Sequence, residues 1–94
     1  MLKKLDPLLH SELRLAIMSL LISVQKSEFT YLKEKTDASA GNLSVQITKL
    51  EEAGYIRVEK SFKGKMPQTI CIITKKGLEA FEKYVEDLKD YLKI

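Results

Sequence analysis

The sequence predicts a mainly α-helical domain carrying one small β-hairpin (an α+β class), in the order α-α-α-β-β-α. Three observations predict it. Apolar residues recur at three- and four-residue steps before residue 54. Gly54 then stops the third helical segment, and two strand-like runs, Tyr55–Ser61 and Gln68–Ile73, flank the basic turn Phe62-Lys63-Gly64-Lys65-Met66. A last amphipathic segment follows Thr74.

Asp6-Pro7 has the form of an N-cap followed by proline in a first helical turn. From there Leu9, Leu13, Ile17, Leu20, Leu21 and Val24 give the first helix a broad apolar face that ends near Gln25, with Ser11 a second cap if the helix restarts. Ser27 and Thr30 are candidate caps for a short second helix, Thr30 to Thr36, which buries Leu32 and is stapled by Phe29. The turn Thr36-Asp37-Ala38-Ser39 leads into the third helix, which carries Leu43, Ile47 and Leu50 on one stripe and runs to Ala53. Gly54 suits a left-handed C′ position. In the first strand Ile56 and Val58 alternate with Arg57 and Glu59. Pro67 stands where the second strand begins and needs no ladder donor. Ile70 to Ile73 is apolar on both faces, which places this strand inside the sheet, and a bridge near Phe29 would complete three strands. Thr74 caps the last helix, Lys75 to about Leu92.

Ninety-four residues make one domain, 1–94. The longest uncharged stretch, Leu15–Gln25, is far shorter than the roughly 20 apolar residues a membrane span needs. No export signal is legible at the N-terminus, and the single Cys71 forms no internal disulfide, so a cytoplasmic location is expected. Net charge is only +3, but its distribution is uneven. Residues 1–56 sum to zero, residues 57–76 to +5 and residues 77–94 to −2. Positive charge gathers on the hairpin and its exit. A polyanionic partner is one reading, and a solvated basic hairpin is the other.

The run LSVQITKLEEAGYI, the basic hairpin, and the later P-Q-T and T-K-K-G resemble the small winged helix-turn-helix transcriptional regulators of the MarR-like and ArsR-like type. The resemblance covers nearly the whole chain. It implies a sequence-specific double-stranded DNA-binding regulator whose third helix lies in the major groove, with Leu43, Ile47 and Leu50 inward. The outward set is then Asn42, Ser44, Val45, Gln46, Thr48 and Lys49. Gln46 or Asn42 suits adenine, Val45 or Thr48 a thymine methyl, and Ser39, Ser44 and Lys49 phosphate. Lys63, Lys65 and Arg57 would hold the backbone or reach the minor groove. The chain departs from its relatives in lacking an arginine on the third helix to read guanine, so weak or A·T-leaning readout is expected.

In the last helix Leu78, Phe81, Val85, Leu88 and Leu92 step as a two-heptad seam flanked by Tyr84 and Tyr91. One reading makes 75–92 a dimerisation helix, with Leu78, Phe81, Val85, Leu88, Tyr91 and Leu92 at a homodimer interface. The other packs the seam on the first helix of its own chain. Cys71 reads as core and His10 as a surface or dimer-edge residue. One thiol and one imidazole far apart make no tetrahedral metal site. No cofactor is implied, no phosphate loop, Ser-His-Asp set or HExxH is present, and Asp87 and Asp90 read as helix surface, so no enzyme is expected. An unidentified small-molecule effector remains compatible with the family. The competing function is a winged-helix protein-interaction module that does not bind DNA.

Overall fold

The computed structural model describes residues 2–93. Its elements are α1 Glu12–Val24, β1 Lys26–Glu28, α2 Phe29–Thr36, α3 Ala40–Glu52, β2 Ile56–Lys63, β3 Met66–Ile73 and α4 Lys75–Leu92. The expected order holds, with β1 as an added short strand. All three strands form one antiparallel sheet in the order β1-β3-β2, so β3 is the inner strand, as its two apolar faces require.

The first helix starts later than its sequence suggests. Asp6 does cap a turn: its carboxylate accepts from Leu8 N at 2.9 Å and its carbonyl from His10 N at 2.9 Å. The chain then extends at Ser11 (φ −151°, ψ 127°), and the second cap starts α1. The buried stripe of α1 is Ile17, Met18 and Leu21, while Val24, expected inside, is exposed. Gln25 closes the helix at φ 70°, and its carbonyl accepts from Ile73 N at 2.9 Å, which seats β1 on β3.

Neither Ser27 nor Thr30 caps α2. Glu28 holds that position with no side-chain cap, because Ser27 and Thr30 both donate to Glu28 itself. The third strand lies just before Phe29, with Ser27 opposite Cys71. Asp37 turns left-handed (φ 55°), and Ser39 then caps α3 by accepting from Asn42 N at 3.1 Å.

The end of α3 is a Schellman motif. Tyr55 N donates to Leu50 O (3.0 Å) and Gly54 N to Glu51 O (2.9 Å), with Gly54 at φ 79°. This reverses the chain directly into β2. Lys63 pairs with Met66 across the two-residue loop Gly64-Lys65. Glycine at positive φ in its first position (65°) matches a type II′ turn, whose twist suits a hairpin. Pro67 faces Phe62 beyond the reach of β1, where no second ladder needs its missing donor.

The core joins Leu9, Ile17, Met18, Leu21, Leu32, Leu43, Ile47, Leu50, Ile56, Cys71 and Tyr84. Burial pushes the Cys71 thiol up to about 11. Residues 3–10 run beside α4: Tyr91 donates to Lys3 O (2.7 Å), and His10 Nδ1 lies 3.0 Å from the Tyr84 hydroxyl. Tyr84, expected to flank the seam of α4, is instead its buried centre, and Asp87 is not helix surface but only 5% exposed, paired with Lys83. The inward stripe of α4 therefore keeps Phe81 and Leu88 of the predicted seam but takes Gly77, Tyr84 and Tyr91 in place of Leu78, Val85 and Leu92.

Candidate nucleic-acid interface

Amphipathicity builds the first half of the site. Because Leu43, Ile47 and Leu50 are buried, the opposite side of α3 must face outward, and Ser39, Asn42, Ser44, Val45, Thr48 and Lys49 are exposed. Val45 is 51% exposed although apolar. The first turn of α3 also presents backbone N–H groups outward, a favourable place for a phosphate.

Gln46 differs from the rest of this set. It is half-buried, its side-chain oxygen accepts from the Arg14 guanidinium, and its Nε2 donates to Asn42 Oδ1 at 3.0 Å. Arg14 also donates from Nε to Leu8 O at 2.6 Å. A chain of hydrogen bonds thus fixes Gln46 and leaves the Asn42 amide NH₂ as the free donor. Sequence reading missed Arg14. The available signal was its place on the stripe Arg14, Met18, Leu21, where a charge on an otherwise buried helix face needs a partner.

The hairpin builds the second half. Alternation puts Ile56, Val58, Lys60 and Phe62 on the face toward the helices, and Arg57, Glu59, Ser61 and Lys63 on the other. Arg57, expected beside the wing lysines, lies on the outer face near the sheet's base and pairs with Glu59 at 3.5 Å, both side chains largely exposed. Such a pair contributes little to stability. Lys60, which the sequence reading left out of the site, takes the inner position. Its Nζ donates to Thr69 Oγ1 at 2.9 Å, and it lines a groove with Ser44, Thr48, Val58 and Thr69. Glu51 also lines that groove. Lys63 and Lys65 are exposed at the tip.

Thr74 ties these halves to α4. Its hydroxyl lies 2.6 Å from Gly54 O and accepts from Gly77 N at 3.0 Å. The Tyr55 hydroxyl donates to Asp6 at 2.5 Å, and burial, with that bond, pushes the phenol up to about 12.

On α4, Phe81 and Leu88 lean on the chain's own core, Val85 and Tyr91 are half-buried, and Leu78 and Leu92 point outward, Leu92 at 77% exposure. Among the described residues no group of three His, Cys, Asp or Glu could hold a metal ion, and no helix is long and apolar enough to cross a membrane.

A capped second helix of the turn motif followed at once by a lysine-tipped hairpin defines the winged helix-turn-helix class of DNA-binding proteins. A family model described as a winged helix DNA-binding domain matches residues 13–92, and the chain belongs to that family. It is 41% identical over 80 residues to an uncharacterized protein of Methanocaldococcus jannaschii, an alignment covering 84% of this chain and 86% of that one. A transcriptional regulator homologue from Pyrococcus horikoshii OT3 has a similar structure (TM-score 0.86, 29% identity, 92% of this chain and 85% of that one). The transcriptional regulator BldR from Sulfolobus solfataricus shares the fold (TM-score 0.73, 23% identity), and this chain covers 87% of its own length but 58% of BldR's. The protein is thus a non-enzymatic DNA-binding domain of the transcription-regulator kind.

Proposed function

We propose that the protein is a sequence-specific regulator that binds double-stranded DNA as a homodimer in the cytoplasm. Each subunit lays α3 in a major groove, with Asn42 and Val45 toward base edges and Ser39, Ser44, Thr48 and Lys49 toward the backbone. Gln46 acts by positioning Asn42. Lys60, Lys63 and Lys65 hold the adjacent phosphates, and Arg57 contributes from the outer face of the wing. The carrying observation is the groove lined jointly by Ser44 and Thr48 of α3 and by Lys60 and Thr69 of the hairpin, which makes the polar helix side and the basic wing one surface.

The outward Leu78 and Leu92, with the half-buried Val85 midway between them at the same seven-residue spacing, support pairing of α4 with its symmetry mate, with Phe81, Leu88 and Tyr91 buttressing that face from within. Two copies of α3 would then meet half-sites about 34–36 Å apart, or a multiple of that spacing. Any small-molecule effector would act by changing the relative placement of the two helices.

Selection of bound duplexes from random DNA, followed by salt titration, tests this. A pseudo-palindromic consensus is expected, and affinity should fall about 10³–10⁵-fold between 50 and 200 mM salt for 6–10 neutralised phosphates. Absence of binding to every duplex at low salt would reject the proposal in favour of a protein-interaction module. Equal binding to all sequences would reject its specificity.

A further inference from the structure

The wing tip carries two large apolar side chains that no described residue of this chain covers. Phe62 is 71% exposed and Met66 is 70% exposed. Phe62 stands opposite Pro67, and Met66 opposite Lys63. Alternation places Phe62 and Pro67 on the same face as Lys60 and Thr69. That face borders a concave surface running past the start of α2, lined by Phe29, Lys60, Phe62, Pro67 and Thr69, with one carboxylate, Glu28, at the α2 side. Phe29, Lys60 and Thr69 continue into the groove along α3. Phe62 therefore lies at the outer end of the surface assigned above to DNA. An uncovered phenylalanine adds nothing to the core of this domain, since its neighbours on the wing are exposed as well.

Charge selects the occupant. From Lys60 to Leu78 the chain contains no acidic side chain, and Lys60, Lys63 and Lys65 flank Phe62 along the wing. A second copy of the wing would bring like charge against like. A polyanion with an apolar interior would not, and the minor groove of a duplex is one: phosphates at its edges and stacked bases between them.

We propose that Phe62 is an apolar wedge that enters the minor groove beside the α3 site, partly unstacks one base step and bends the DNA. Pro67, on the same face, broadens the contact, and the three lysines hold the flanking phosphates. Phenylalanine, methionine and proline are residue types that perform such insertion, which kinks duplexes by about 20–90°. Pyrimidine–purine steps (TA, CA/TG) unstack most easily, so the wing prefers one at its contact point without any hydrogen bond to a base. This inference rests on the DNA-binding reading above and adds to it a mode of recognition.

The test uses the full chain and a duplex selected by it from random DNA. Bending is read by energy transfer between end labels, and unstacking by 2-aminopurine placed at the wing contact. The wild type should bend the duplex by tens of degrees and brighten the 2-aminopurine. Phe62→Ala should lose at least half of both signals with its salt slope unchanged, while Phe62→Leu retains them. Lys63→Ala should lower the salt slope by about one unit with the bend intact. Because Phe62 is exposed, all variants should melt like the wild type. A Phe62→Ala protein that bends and unstacks as the wild type does would overturn the wedge. A wild type that binds tightly but leaves the duplex straight would overturn it too, while preserving the DNA-binding reading. A wild type that binds no duplex would end both.

Discussion

Glycine 77, in the first turn of α4, should be the least replaceable small residue in the chain. A glycine inside a helix normally costs about 1 kcal/mol relative to alanine, so Gly77→Ala would stabilise an isolated helix. Here a Cβ would lie 2.1 Å from Tyr55 O, 2.9 Å from its carbonyl carbon and 3.1 Å from Met18 Cε. Ordinary contact begins near 3.4 Å, so the backbones must separate by more than about 1 Å. The Tyr55 carbonyl has little room to retreat, because it accepts from Thr74 N at 3.1 Å and follows the Schellman turn.

Overpacking costs about 1–3 kcal/mol, and loss of the Thr74–Tyr55 bond and part of the Thr74 cap adds about 1–2. Subtracting the propensity gain leaves a net loss of about 1–4 kcal/mol. For a domain of this size that lowers the melting temperature by roughly 4–30 °C. Gly41→Ala is the internal control: it lies in the first turn of α3 with nothing within 4 Å of a new Cβ, and it should stabilise by up to about 1 kcal/mol. Thermal melts followed by circular dichroism read both. A Gly77→Ala protein melting within 2 °C of the wild type would refute the packing argument.

Arg14→Ala should cost about 1–2 kcal/mol by urea unfolding and weaken DNA binding without changing its salt slope, because Arg14 orders Gln46 instead of touching phosphate. Lysine should not restore it, since one ammonium cannot reproduce the guanidinium fork. Tyr55 and Cys71 both hold their protons more tightly folded than unfolded. Their contribution to stability is therefore complete below about pH 9 and is lost as pH rises through about 11 to 12. Urea midpoints at pH 8, 10 and 12 should show that loss reduced in a Tyr55→Phe, Cys71→Ala variant. Leu78→Glu with Leu92→Glu should leave the helical signal unchanged yet shift sedimentation to a monomer. A persistent dimer would remove α4 from the interface.

The fold was legible in the sequence because its signals are local. Gly54 after Leu50, Gly64 between lysines, and Ser39 and Thr74 as caps each act within a few residues of the structure they specify. The errors came from choices made over longer distances. Asp6 and Ser11 both have cap chemistry, and only the packing of residues 3–10 beside α4 decides that the helix starts at the second. Tyr84 and Val85 are neighbours on one helix, and periodicity could not tell which would face the core. The hydroxyl of Tyr84 prevails by reaching His10, 74 residues earlier. In the candidate site, the exposed side of α3 followed from its buried side, whereas the periodicity that marks Arg14 and Lys60 as inward could not name their partners, Gln46 and Thr69. Alternation already set Arg57 apart from Ile56 and Val58, but its pairing with Glu59, away from the wing tip, could not be read from charge alone.

The α4 helix joins these observations mechanically. Its inward stripe, Gly77, Phe81, Tyr84, Leu88 and Tyr91, belongs to its own chain, which leaves Leu78, Val85 and Leu92 for a partner. Its N-terminus is clasped to the joint between α3 and β2: Thr74 bonds Gly54 and Tyr55, and Gly77 packs against the same Tyr55 carbonyl. No flexible segment separates the proposed dimer contact from the recognition surface, since Thr74 alone connects β3 to α4. A rotation of α4 in its partner's groove must therefore carry the end of α3 and the base of the wing with it. The same close packing that makes Gly77 irreplaceable is what would let the pairing of two helices set the spacing of two DNA contacts.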